Sequence, residues 1–411
     1  MKNNNIPVRH KAIILGPEGP NHGAEGFVTN KFFKTLEEYG WDIKWIYHQT
    51  DLGSNNDNVK YIGIKNRFLY TISHIFKNIP ILKKIARLDS LLWVIKAYFK
   101  ATCIIKQEQV LVVFSRIMPA YGHLPALLLA KKYRITWIAN WSDPMPRIKA
   151  PHPYGKGSDA KISFLSEYYL KQICKYASFH SFPSDFLKKH YQKYIHLTDE
   201  KCIILPHIAL PETVEEEAPH EELIISHIGG GLQQRNPTLF LQALANVIML
   251  KQFKSIKIKL QFIGSIESDI ESVIRNTSVF NLIELKGKVS YSESINYIKH
   301  SDIILVLEAQ METGIFLPSK IADIVACHKP IFAVSPLKGT VQELLYNYGG
   351  GIFSDCQSQS SIENGLKKLF EDWNNNNLSH PLYDTNELLT LFSSKTIYSS
   401  ISNLPLAQTT L

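Results

Sequence analysis

Two stretches of this chain share one rhythm. A short run of aliphatic and β-branched residues meets a cluster of glycines, and apolar residues then recur at helical spacing. The first is KAIILGPEGPNHGAEG, Lys11–Gly26, leading into FVTNKFFKTLEEYG. The second is LIISHIGGGLQQRNP, Leu223–Pro237, leading into PTLFLQALANVIML. A period-two apolar run that turns into a 3.6 period after glycines predicts strand, loop and helix. Further strand candidates follow each opening: WDIKWIY, VLVVFS, ITWIANW and CIILPHI in the first half, and IKLQFIG, LIELKGKV, DIILVLE and PIFAV in the second. Strands alternating with helices predict parallel sheets covered on both faces.

At 411 residues the chain is too long for one ordinary core, so each opening is expected to found its own domain. The acidic, proline-containing stretch LPETVEEEAPHEE, Leu210–Glu222, reads as the linker. The expected division is therefore 1–209, a linker at 210–222, 223–373, and a C-terminal loop and helix at 374–411. Residues 385–403 read as that terminal helix. Residues 64–106 carry nine basic residues and one acid, Asp89. Such a basic, aromatic, amphipathic segment suits an anionic bilayer face; two ordinary surface helices are the equally weighted alternative.

The net charge of +8 suits anionic partners, with a merely basic surface as the alternative that composition alone favours. The five cysteines are scattered with no C-x-x-C pair, which points to a reducing compartment and no zinc module. No apolar run is long enough for a signal peptide or a membrane span, so a cytoplasmic protein is expected. D-x-D, H-E-x-x-H, G-x-S-x-G and P-loop patterns are absent.

Chemistry concentrates in three places. The first glycine loop lets backbone approach a ligand, with Gly23 and Ala24 at the mouth of its helix, or it is a plain turn. In the second loop Gly229, Gly230 and Gly231 precede Arg235, whose guanidinium suits a diphosphate. The third is FLPSKIADIVACHKPIFAV, Phe316–Val334. Pro318 suits the first position of a helix, leaving the amides of Ser319, Lys320 and Ile321 without intrahelical acceptors. With the helix dipole and the Lys320 charge they predict an anion site. Asp323 lies one turn on, on the same face as Ser319, placed to accept hydrogen bonds from a ribose diol. A capping serine with solvated Lys and Asp is the alternative.

HIGGGLQQRNPTLFLQAL, LQFIG, LKGKVSYSESINYIKHSDIILVLE, FLPSKIADIVACHKPIFAV and GTVQELL occur in an order and spacing that resemble the C-terminal domain of GT-B-fold glycosyltransferases, close to family four. The resemblance implies two Rossmann-like domains facing across a cleft, with the last helix crossing back to the first domain. It implies that Arg235 and Lys320 hold the donor diphosphate, that Ser319 receives it, and that Gly230, Gly231, Gly264 and Val289 border the nucleotide. Asp323 aligns with the second of two glutamates in the family's motif. Ile315 stands where the first belongs, and Glu308 or Glu312 are the available substitutes; Glu312 is taken as the catalytic candidate. In the first half, SRIMPAYGHLPALLLAKKYRITWIANWSDP resembles the strand–helix–strand in which a histidine faces the cleft. That makes His123 a catalytic candidate, with a helix-capping or packing histidine as the alternative. Asp143 is another candidate, because ligands of open α/β sheets bind at the carboxyl ends of strands.

The expected activity is transfer of a sugar from a UDP- or GDP-sugar to a carbohydrate or lipid-linked acceptor in surface polysaccharide or glycolipid synthesis, with retention and without a cofactor or metal. A GT-B-fold nucleotide-sugar epimerase and a non-catalytic nucleotide-sugar-binding subunit are the alternatives. Nucleic acid is not expected as a partner, since the basic segment has no recognition motif beside it.

Overall fold

The computed structural model describes residues 10–20, 22–48, 60–64, 83–117, 119–213 and 221–406, with backbone alone for 83–88. The chain divides into two units. One comprises residues 1–150, 157–205 and 397–411, the other 151–156 and 206–396.

The first unit holds a seven-stranded sheet in the order β3-β2-β1-β4-β5-β6-β7. Its strands are Lys11–Leu15, Asp42–His48, Tyr61–Ile64, Val110–Arg116, Thr136–Asn140, Phe179–Phe182 and Cys202–Ile204, numbered β1 to β7. Every pairing is parallel. Its helices include α1 (Gly23–Glu38), α2 (Lys83–Gln107), α3 (Leu124–Tyr133), α4 (Phe164–Tyr176) and α5 (Asp185–Gln192). Trp45, Trp137, Trp141, Phe33 and Phe182 fill its core without solvent contact.

The second unit holds a six-stranded parallel sheet in the order β10-β9-β8-β11-β12-β13. Here β8 is Glu222–Ile228, β9 Lys257–Ile263, β10 Ile283–Gly287, β11 Ile303–Leu307, β12 Ile331–Ser335 and β13 Gly351–Asp355. Its helices are α6 (Thr238–Ile248), α7 (Ser268–Arg275), α8 (Tyr291–Lys299), α9 (Lys320–Ala326), α10 (Thr340–Tyr348), α11 (Gln359–Asn374) and α12 (Asn386–Leu391). Residues of β11 alternate between two cores. Ile303, Leu305 and Leu307 join Phe240 and Leu366 on one face. Ile304 and Val306 join Ile321 and Val325 on the other. Burial on both faces is why the strand reads as one unbroken apolar run.

Two expectations change. The terminal helix is not continuous: α12 ends at Leu391 and α13 spans Ser394–Ser402. The Ser393 hydroxyl accepts from the Thr396 amide, and the hydroxyls of Ser393 and Thr396 both donate to the Thr390 carbonyl, which ends one helix and caps the next. In the first unit Tyr398 stacks on Tyr39 at 4.0 Å, and Ile397 and Ile401 are buried. Most of the expected linker, 214–220, lies outside the described residues, as does 65–82 of the basic segment. Glu212 packs within the second unit, with its amide on the Ala326 carbonyl and its carboxylate 3.0 Å from the Lys299 ammonium.

Candidate functional site

The carboxyl edge of the second sheet gathers the expected donor residues. Beyond β8, Gly229 takes φ +128, and a Cβ there would lie 1.3 Å from the Lys320 ammonium. The lysine occupies the space that only glycine leaves free. Its Nζ donates to the Ile228 carbonyl. The loops are laced together: the Gly229 amide donates to the Ile263 carbonyl at 2.6 Å, and the Gly264 amide to the Gly287 carbonyl at 2.8 Å. Gly264, at φ +137, passes so close to Gly229 that a Cβ would fall 2.5 Å from its carbonyl oxygen. Gly230 and Gly231 are exposed, and Val289 is partly buried against the apolar core.

Burial and the Arg235 guanidinium push the Lys320 pKa down to about 8, against the opposing pull of Asp323. The three charged groups named from the sequence thus act on one another. The Arg235 Nε donates to the Tyr154 hydroxyl at 3.2 Å, and the Tyr154 ring stands edge-on to Phe316 at 5.1 Å. Asp323 accepts from the Tyr291 hydroxyl at 2.7 Å through one oxygen, Oδ1. The helix tip differs from expectation. Ser319 is the residue before α9, and the Ile321 amide donates to the Pro318 carbonyl at 3.0 Å, which removes one of three amides from an anion site.

The two candidate glutamates differ in burial. Glu312 is exposed on the loop after β11. Glu308 closes β11 and is buried; it accepts from the Ser335 hydroxyl at 2.5 Å. Burial raises its pKa to about 7, with Ser335 and the Arg235 charge opposing the rise. Ile315, where a glutamate was sought, is buried at 3% exposure and packs as an apolar residue. The raised Glu308 pKa means that the fold holds the proton more tightly than the unfolded chain does. Its stabilising effect is complete below the ordinary value of 4.5 and is lost as pH rises through about 7. Glu308→Gln should therefore stabilise the protein at pH 8, by up to roughly 3 kcal/mol, and change little at pH 4. Urea unfolding at the two pH values measures this; equal effects at both would refute it.

Sequence reasoning missed His227 on β8. Its Nδ1 lies 3.0 Å from the Leu305 carbonyl, and its buried Nε2 has no hydrogen-bond partner among the described residues. Burial, followed by the Lys320 charge and, more weakly, that of Arg235, takes its pKa down to about 3 against the pull of the Leu305 carbonyl, so the ring is neutral. Tyr154, 81 residues from Arg235, left no sequence signal.

In the first unit His123 has no exposed surface. Its Nδ1 lies 2.7 Å from the Ser115 hydroxyl, and its ring stands edge-on to Trp141 at 4.7 Å. Burial lowers its pKa to about 3, with His180 and Arg116 adding to the shift. His123 is thus enclosed in the core of the unit, as the packing alternative has it. Asp143 follows β5, half-buried, and its carbonyl accepts from the Tyr191 hydroxyl at 2.7 Å. Gly23, at φ +65, and Ala24 open α1 and are exposed. The adjacent Glu25 ties this helix to the strand ends, accepting from the Arg116 Nε at 2.6 Å and the Ser142 hydroxyl at 2.9 Å. Cavities of about 830 Å³ in the first unit and about 600 Å³ in the second are lined by none of these candidates.

No known family's model matches the sequence, and neither does any curated protein. The fold is shared with solved structures. A glycosyltransferase from Rickettsia africae ESF-5 is 14% identical, covers 97% of this chain and 100% of its own, and has a TM-score of 0.66. Sucrose-phosphate synthase from Thermosynechococcus elongatus is 12% identical, with 96% and 97% covered and a TM-score of 0.66. MnaA of S. aureus, solved with UDP, is 13% identical, with 96% of each chain covered and a TM-score of 0.54. These likenesses establish the fold: two parallel-sheet α/β units of the GT-B type.

Proposed function

We propose that the protein is a glycosyltransferase that moves a sugar from a nucleoside-diphosphate sugar to a carbohydrate or lipid-linked acceptor, with the second unit holding the donor. One observation carries the reading. A buried ammonium, Lys320, is fixed by the Ile228 carbonyl in the space left by Gly229, with Arg235 acting on it, at the carboxyl edge of a parallel sheet. Two cations forced together repel, and a diphosphate relieves that repulsion. The fold of a glycosyltransferase and the UDP bound by another protein of this fold support the choice of ligand.

In this reading Lys320 and Arg235 stabilise the charge that develops on the departing diphosphate. Asp323 engages the ribose. The buried Glu308, protonated over part of the physiological range, offers the sugar a hydrogen-bond donor in the role first assigned to Glu312. Retention of configuration and independence from metal belong to the same proposal, by resemblance. A second reading, a donor-binding subunit without turnover, is favoured by the buried Ile315. An epimerase reading is separated by incubation with donor alone, which gives a new sugar isomer only in that case.

The test is a thermal-shift comparison of UDP, GDP, ADP and their sugar conjugates. A ligand at a hundred times its dissociation constant adds about 2.7 kcal/mol. For a unit of this size that raises the melting temperature by roughly 5 °C or more. One base should stand out; no shift with any of them overturns the donor site.

A further inference from the structure

The outer layer of helices α2, α3 and α4 has no part in the site above. α3 packs against both α2 and α4. Large apolar side chains stand in solvent along this layer. On α2 they are Leu91, Ile95 and Phe99, spaced four residues apart on one ridge. On α4 they are Phe164, Leu165 and Tyr168, the first two 78% and 75% exposed. Exposed lysines accompany them: Lys96, Lys100, Lys131, Lys132, Lys171 and Lys175. The three helices contain only two acids. Asp89 is turned inward onto His48 at 3.0 Å, and Glu167 is paired with Lys171 at 2.6 Å.

Isolated exposed apolar residues are ordinary, but a row of them edged by one sign of charge is not. The lysines are also placed. Lys131 of α3 and Lys175 of α4 lie over the same Tyr176 ring, at 4.9 and 5.4 Å. Beside α4 opens the cavity of about 830 Å³, where Lys149, Lys161, Lys171, Lys175 and Lys193 outnumber Asp159 and Glu167.

We propose that the α2–α3–α4 layer seats on an anionic phospholipid surface. Phe164, Leu165, Tyr168 and the α2 ridge enter the interface, and the lysines meet headgroup phosphates, one of which occupies the cavity beside α4. Charge complementarity selects this occupant: a second copy would set one lysine row against another. The inference extends the membrane contact expected from residues 64–106 to two helices beyond that segment, and it does not depend on the donor reading.

Co-sedimentation of the full chain with vesicles tests it. The protein should pellet with phosphatidylcholine vesicles containing about a third phosphatidylserine, and not with phosphatidylcholine alone. Phe164→Ser with Leu165→Ser should weaken binding at least about tenfold. Lys131→Glu with Lys175→Glu should abolish it, and added salt should weaken the wild type. Both variants change exposed residues, so their melting temperatures should stay that of the wild type. Equal binding to both vesicle types, binding untouched by the variants, or no binding overturns the proposal. So does a lipid-independent dimer that the Phe164→Ser pair dissolves, which assigns the face to a second copy.

Discussion

Lys320→Met should weaken nucleoside-diphosphate binding about a hundredfold while leaving the fold intact. Methionine keeps most of the side chain's length and loses the ammonium, so the change isolates the charge. A charge-assisted hydrogen bond to phosphate is worth about 1.5–3 kcal/mol, and a buried one lies at the upper end, so affinity should fall by about two orders of magnitude. Arg235→Ala, which removes a less enclosed cation, should cost about tenfold. Stability should move the other way in Lys320→Met, because a buried charge that the fold holds at a cost is gone. The pH profile adds an independent check. With the Lys320 pKa pushed down to about 8, the free protein loses this cation as pH rises past that value, and affinity should fall with it. Lys320→Met should show no such fall. Calorimetry with UDP and GDP between pH 7 and pH 9 reads all of this, and unchanged affinity in both variants removes the site.

Gly229→Ala should be nearly as damaging through geometry alone. Its φ of +128 is strained for any side chain, and its Cβ would overlap the Lys320 ammonium. A loss of roughly 2–4 kcal/mol in stability is expected, together with loss of nucleotide binding as the lysine is driven from its place. The two causes separate in a double-mutant cycle. With Lys320→Ala the overlap disappears and only the backbone strain remains, so Gly229→Ala should cost less there, with a coupling of about 1 kcal/mol or more. Additive effects would show that Gly229 and Lys320 do not share that space.

Much of this was readable in the sequence because burial leaves a periodic trace. Strands enclosed on both faces, such as Ile303–Leu307, read as unbroken apolar runs. The strands that escaped notice lack that trace. Tyr61–Ile64 is four residues long and contains Gly63. Phe179–Phe182 buries His180 and Ser181, polar residues that mimic a loop. Gly351–Asp355 opens on a glycine with φ +151.

The candidate site was legible where chemistry and local spacing coincide: Arg235 and Asp323 both act on Lys320. It was illegible where burial decides the role. Nothing in the order of residues distinguishes His123, enclosed by Ser115 and Trp141, from a histidine facing a ligand. Nor does it distinguish the buried Glu308 from the exposed Glu312 four positions on. Tyr154 meets Arg235 only through the fold.

The first unit is not one length of chain. Its last piece, beginning at Ile397 and including the Tyr398 ring that covers Tyr39, is synthesised after the whole of the second unit. The nascent first unit must therefore wait, incomplete, through the synthesis of about 190 residues, at some 5–20 residues per second. For those tens of seconds Tyr39 is without its aromatic partner.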